Sequence, residues 1–139
     1  MDLGLTREQR AVREAFAALF GKQATLDRVR RAESTGFDQL LWRHYADVGA
    51  LGIGVPSDCG GADGGLLELA LVAEEAGGHL APIPVAETAA AARLLGRLRE
   101  KELLGPVLRG SVIVSLATRP DGLPKTARRN LGGLPLAPW

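Results

Sequence analysis

The sequence predicts a mainly α-helical fold that ends in one β-strand, and three observations carry that prediction. Only 4% of the 139 residues are aromatic, so packed Leu, Ala and Val side chains favour helices over sheets. Apolar residues recur at helical spacing between glycine and proline stops. A single β-branched run, Ser111 to Ala117, reads as a strand.

The first element opens at Leu5-Thr6-Arg7-Glu8-Gln9. Thr6 is placed to cap it, and Gln9 is placed to reach back to the Thr6 amide. Val12, Phe16, Leu19 and Phe20 then share a face, with Ala11, Ala15 and Ala18 beside them, until Gly21 stops the run. Leu26 to Ala32 fits either a short helix or an irregular turn. Asp38 is the next N-cap candidate, and Leu40, Leu41, His44, Tyr45 and Val48 give helical spacing as far as Gly49, with Trp42 packing across the next turn.

Leu51 to Val55 is short and apolar, and the glycine-rich stretch from Pro56 to Gly65 reads as loop with no regular element. Leu66 to Ala76 returns to helix with two apolar faces, Leu67-Ala70-Leu71 and Leu66-Leu69-Ala73, which predicts the most buried helix of the fold. Gly77-Gly78 ends it, and Leu80-Ala81-Pro82-Ile83-Pro84 is an extended link. Pro84 suits the first turn of a helix running through Val85, Ala89, Ala92, Leu95 and Leu98. Glu100 to Leu108 is a further helix, broken or bent around Gly105-Pro106.

The strand at residues 111–117 has no partner in the sequence, so it predicts either pairing with another chain or truncation of something longer. Beyond Thr118 come four prolines and three glycines without periodicity, the composition of a disordered tail. These readings divide the chain into a helical domain (1–110), the start of a β-domain (111–118) and a tail (119–139).

Composition bounds the function. The tail holds Arg119, Lys125, Arg128 and Arg129 against Asp121, so the formal +1 of the whole chain leaves residues 1–118 slightly acidic. That is no footprint for nucleic acid, and the tail lacks interleaved aromatics for RNA. One cysteine, no basic-apolar leader and no membrane-length apolar window predict a soluble cytoplasmic protein.

No side-chain constellation announces catalysis. Glu74 and Glu75 point about 100° apart on a helix and cannot flank one bond; one is expected to hydrogen-bond within the fold and the other to face water. The Gly60-Gly61-Ala62-Asp63-Gly64-Gly65 run lacks the Lys-Ser or Lys-Thr of a phosphate loop and reads as a tight turn. Cys59 has only His44 and His79 as conceivable bases, and the two histidines are too few for a metal site. Arg28, Arg30 and Arg31 read as a solvated run.

The order of motifs nevertheless resembles a known family. Leu5-Thr6-Arg7-Glu8-Gln9-Arg10, Trp42 with Gly49-Ala50-Leu51-Gly52-Ile53, Val55-Pro56, Gly60-Gly61, Glu74-Glu75-Ala76-Gly77, Ala81-Pro82-Ile83-Pro84 and the stretch from Gly110 to Pro120 together resemble the N-terminal helical domain of the FAD-dependent acyl-CoA dehydrogenases. The resemblance implies an oxidoreductase that desaturates an acyl-CoA thioester between Cα and Cβ and passes a hydride to FAD. It also implies that the catalytic base lies in a later helical bundle, so that these residues supply no catalytic group and are an inactive N-terminal fragment, truncated naturally or by a frameshift.

By the same resemblance Leu116, Ala117 and Thr118 are the FAD-contacting residues, and Pro84, Val85 and Thr88 lie near the far end of the acyl pocket. Three departures stand out: Arg119 where the family commonly has Glu, Asp121-Gly122-Leu123-Pro124 in place of a Gly-Ser-Asp turn, and Cys59 where an aromatic residue is usual. Acyl-CoA is the implied ligand, and other acyl-CoA dehydrogenase-like chains are the implied partners. A non-catalytic helical module that pairs with a fuller dehydrogenase chain, and a decayed gene product, are the competing expectations.

Overall fold

A computed structural model describes residues 4–116, which form six α-helices and two 3-10 turns. Helix α1 (Arg7–Gln23) starts at a full capping box: the Gln9 amide donates to Thr6 Oγ1 at 3.2 Å, and the Thr6 amide donates to Gln9 Oε1 at 3.0 Å. Gln9 also reaches outward, its Nε2 donating to Glu68 Oε1 at 3.0 Å, while Glu68 Oε2 accepts from the Gly65 amide at 2.8 Å. One short relay therefore caps the starts of both α1 and α4 (Leu66–Gly78), and these two helices form the main helix pair of the fold.

Leu26–Ala32 is helical and forms α2. Helix α3 (Gln39–Asp47) is capped by Asp38, whose Oδ1 accepts from the Leu41 amide at 2.9 Å. The same carboxylate receives both arms of the Arg28 guanidinium at 2.8 Å. Arg28 is thus a mostly buried clamp between α2 and the start of α3, and the solvated reading of it is corrected. Such bidentate pairing needs the planar fork of arginine.

The apolar segment after α3 winds into a 3-10 turn at Ala50–Gly52, and a second turn at Ser57–Cys59 breaks the stretch expected to be pure loop. Helix α5 (Val85–Leu98) follows Pro84 as its N-cap. Helix α6 (Lys101–Leu108) runs unbroken through Pro106, against the expected break at that proline.

Two clusters make the core. In the larger, Phe16, Phe20, Trp42 and Tyr45 stack or tilt against one another at 6.0–6.1 Å between ring centres, with Leu41, Leu51, Val72 and Ala76 around them. The few aromatics are concentrated at the centre of a core otherwise built from aliphatics. The smaller cluster joins Val55, Ala92, Leu104 and Val107.

One expectation fails, and another is left without its ladder. Helix α4 buries Leu71, Val72 and Ala76 but leaves Leu66 70% exposed and Leu67 46% exposed, one from each expected apolar face, so neither face is fully covered. Residues 111–116 form no strand. A lone strand has no ladder to complete, and β-propensity without a partner does not fix a conformation. Val114 instead packs against the smaller cluster. Ala117, Thr118 and the tail lie outside the described residues. Among the described residues no helix is long and apolar enough to cross a membrane.

Candidate functional site

Between α4 and α5 the chain turns through His79–Pro84 and leaves an open groove of about 390 Å³. The turn is closed by its own backbone: the Leu80 amide donates to Gly77 O at 3.0 Å, Ala81 to Ala76 O at 2.9 Å, and Val85 to Ile83 O at 2.9 Å. Leu80 takes a left-handed conformation (φ 52°) and stands exposed at the rim. Conformations of this kind cost energy in a residue with a Cβ and concentrate where a shape must be held.

Ala73, Ala76 and Gly77 form one wall of the groove, and Leu80, Ala81 and Ile83 its end. Val85, Ala86 and Glu87 form the other wall. Small side chains keep it hollow: a Cβ on Gly77 would meet nothing within 4 Å. The volume lies within the range of small-molecule clefts. Glu87, in the first turn of α5, supplies the one charge of the lining.

Of the residues assigned to the acyl pocket by resemblance, Val85 lines this groove and Pro84 sets the entry of α5 beside it. Thr88 is fully buried, and among the described residues its hydroxyl finds no hydrogen-bond partner. It is not part of the groove lining. Gly77, Leu80, Ala86 and Glu87 were given no site role from sequence. The doubled glycine at the end of α4 was the available signal, since glycine inside a helix needs a reason.

Leu116 is 42% exposed, and Ala117 and Thr118 lie outside the described residues. FAD needs donors for its pyrophosphate and ring. Across residues 111–116 the side-chain donors are Ser111, already committed to Pro106 O at 2.9 Å, and Ser115. The contacts expected from the resemblance are backbone groups of residues 116–118 and the Thr118 hydroxyl, and of these only Leu116 is among the described residues.

The glycine loop is not an anion cradle. Its amides turn inward, Ala62 to Gly52 O, Asp63 to Val55 O and Gly64 to Ile53 O, whereas a phosphate site needs them free. Gly61 is required there, because a Cβ would lie 2.1 Å from Val55 O. Arg93 of α5 holds the loop from outside, its Nη1 donating to Gly54 O at 3.1 Å and Gly64 O at 2.9 Å.

The remaining polar candidates serve the fold. Glu75 pairs with Arg13 at 3.0 Å while Glu74 stays exposed, as expected of the pair. Cys59 Sγ lies 3.7 Å from Gly96 O, and His79 Nδ1 bonds Glu75 O, so no thiol–imidazole pair forms. Arg28 holds the Asp38 carboxyl below its usual range, and Gln9 does the same for Glu68. Burial pushes the Tyr45 phenol upward. Among the described residues no three potential ligands gather as a metal site.

Residues 6–102 match the family described as acyl-CoA dehydrogenase, N-terminal domain. The acyl-CoA dehydrogenase IpdE2 of Mycobacterium tuberculosis (strain ATCC 25618 / H37Rv) is 35% identical over 82% of this chain and 37% of its own length. The acyl-CoA dehydrogenase FadE34 of the same strain is 35% identical over 94% of this chain and 20% of its own. Among solved structures, a variant of the Tcur3481-Tcur3483 steroid ACAD superposes with a TM-score of 0.71 at 33% identity, over 78% of this chain and 31% of that one. The chain thus spans well under half the length of the relatives it matches. With its helical fold and these matches, the chain belongs to the acyl-CoA dehydrogenase family and carries that family's N-terminal helical domain.

Proposed function

We propose that the chain is the N-terminal helical unit of an acyl-CoA dehydrogenase-like oxidoreductase, which desaturates an acyl-CoA thioester between Cα and Cβ with FAD as its cofactor. The groove between α4 and α5 receives the distal, apolar end of the acyl group. The observation that carries this reading is the groove itself, hollow by virtue of Ala73, Ala76, Gly77 and Ala86 and bordered by Val85. The unit supplies binding surface and no proton acceptor, so alone it does not turn over substrate.

An acyl chain entering such a groove is stabilised by removal of methylenes from water, by up to about 0.8 kcal/mol for each one fully buried. Affinity should therefore rise from butanoyl- to hexanoyl- to octanoyl-CoA when titrated into the purified chain. Equal affinity for octanoyl-CoA and free CoA would remove the basis of the reading.

A second reading rests on a different observation. Leu66, Leu94, Leu98 and Leu103 are each more than 40% exposed, and large apolar side chains left at the surface suit a helical module pairing with a fuller dehydrogenase chain. Incubation with FAD, followed by removal of the excess, separates the two. Flavin absorbance retained by the chain alone argues for a self-sufficient cofactor site. Retention only when an acyl-CoA dehydrogenase chain is present argues for the module.

A further inference from the structure

We infer that Glu87 sets the polarity of the group accepted at the distal end of the groove, admitting neutral and hydroxyl-bearing acyl chains and rejecting those that end in a carboxylate. The inference rests on the reading of the groove as the acyl site.

Every other residue of the lining is apolar or glycine, so one side chain decides how the groove treats polar atoms. Glu87 is exposed, and among the described residues no group donates to its carboxylate. It belongs to the first turn of α5, at the rim of the groove. An ionised carboxylate accepts hydrogen bonds and donates none. A terminal hydroxyl on the ligand would satisfy it, a methyl would leave it to water beside the apolar wall, and a second carboxylate would meet like charge without a counter-ion. At contact distance in water that repulsion corresponds to about fivefold in affinity, and it grows as the groove is shielded from solvent.

The test uses the full chain, isotopically labelled, with amide shifts at Gly77, Leu80 and Ala81 reporting occupancy of the groove. Octanoyl-CoA, 8-hydroxyoctanoyl-CoA and octanedioyl-CoA share the CoA charge and differ only at the distal end. The expected result is octanedioyl-CoA about fivefold weaker than the other two, a gap that narrows with added salt, closes in Glu87→Gln and inverts in Glu87→Lys. Because Glu87 is exposed, these substitutions leave the core intact. Equal affinities in the unmodified chain, or a gap that survives Glu87→Gln, would overturn the inference while leaving the groove as the acyl site. Absence of groove shifts with all three ligands would overturn the acyl reading as well.

Discussion

The indole Nε1 of Trp42 donates to the carbonyl of Gly110 at 2.8 Å, tying the middle of α3 to the residue where the last helix gives way to the exit segment. Gly110 fits there because its φ is +70° and a Cβ would sit 2.6 Å from Ala46 Cβ. Trp42→Phe should cost about 2 kcal/mol, from the lost hydrogen bond and some lost packing. Gly110→Ala should cost at least about 1–2 kcal/mol from backbone handedness alone. The two should be less than additive, since each breaks the same contact. Urea midpoints of the single and double variants check this.

The Asp38 carboxylate both caps α3 and pairs with Arg28, with both side chains less than 20% exposed. Its pKa is lowered from 3.8, first by the hydrogen bond from Arg28. A group whose folded pKa is depressed stabilises the fold above its unfolded pKa, and that stability drains away as pH falls through the folded value. Asp38→Ala should therefore cost about 2 kcal/mol at neutral pH, with the difference from the unmodified chain shrinking below pH 3.8. Denaturant melts across an acid series would show it; a penalty that does not change with pH would refute it.

Two glycines should respond with opposite sign. Gly61→Ala places a Cβ against the Val55 carbonyl at 2.1 Å and should cost about 3 kcal/mol or more. Gly78→Ala adds a methyl with nothing within 4 Å at the end of α4 and should stabilise by about 0.5 kcal/mol, through a less flexible unfolded chain. Thermal midpoints of the two variants, one lowered and one raised, are the measurement.

Gly77→Leu should fill the groove while leaving helix α4 folded, because its Cβ direction is open. Octanoyl-CoA affinity should fall at least tenfold in this variant, with circular dichroism unchanged. Retained affinity would mean that the ligand sits elsewhere.

Helix starts were legible where cap and periodicity agree within a few residues, as at Thr6 with Gln9 and at Asp38 with Leu41. The Arg28–Asp38 clamp was not, because a turn of unstated shape separates the two and charge order says nothing of approach. The segment over 111–117 carries the β-branched signal of a strand, but that preference is redeemed only by a neighbouring strand, and none lies beside residues 111–116 among the described residues. The groove was half legible. Val85 and Pro84 came with the family resemblance, whereas Gly77 and Ala86 act by occupying little volume, and a missing side chain leaves no chemical mark in a sequence. Glu87 became distinctive only once its apolar surroundings were known.

Arg93 fixes the loop from Gly54 to Gly64 through two carbonyls that belong to the loop, while the guanidinium belongs to a helix 29 residues past Gly64. The loop's letters are therefore an incomplete recipe for its shape. Transplanted into another helical scaffold, Gly54–Gly64 would arrive without its fastener and relax. Carried together with an arginine at the matching depth on the neighbouring helix, it becomes a portable two-part cassette.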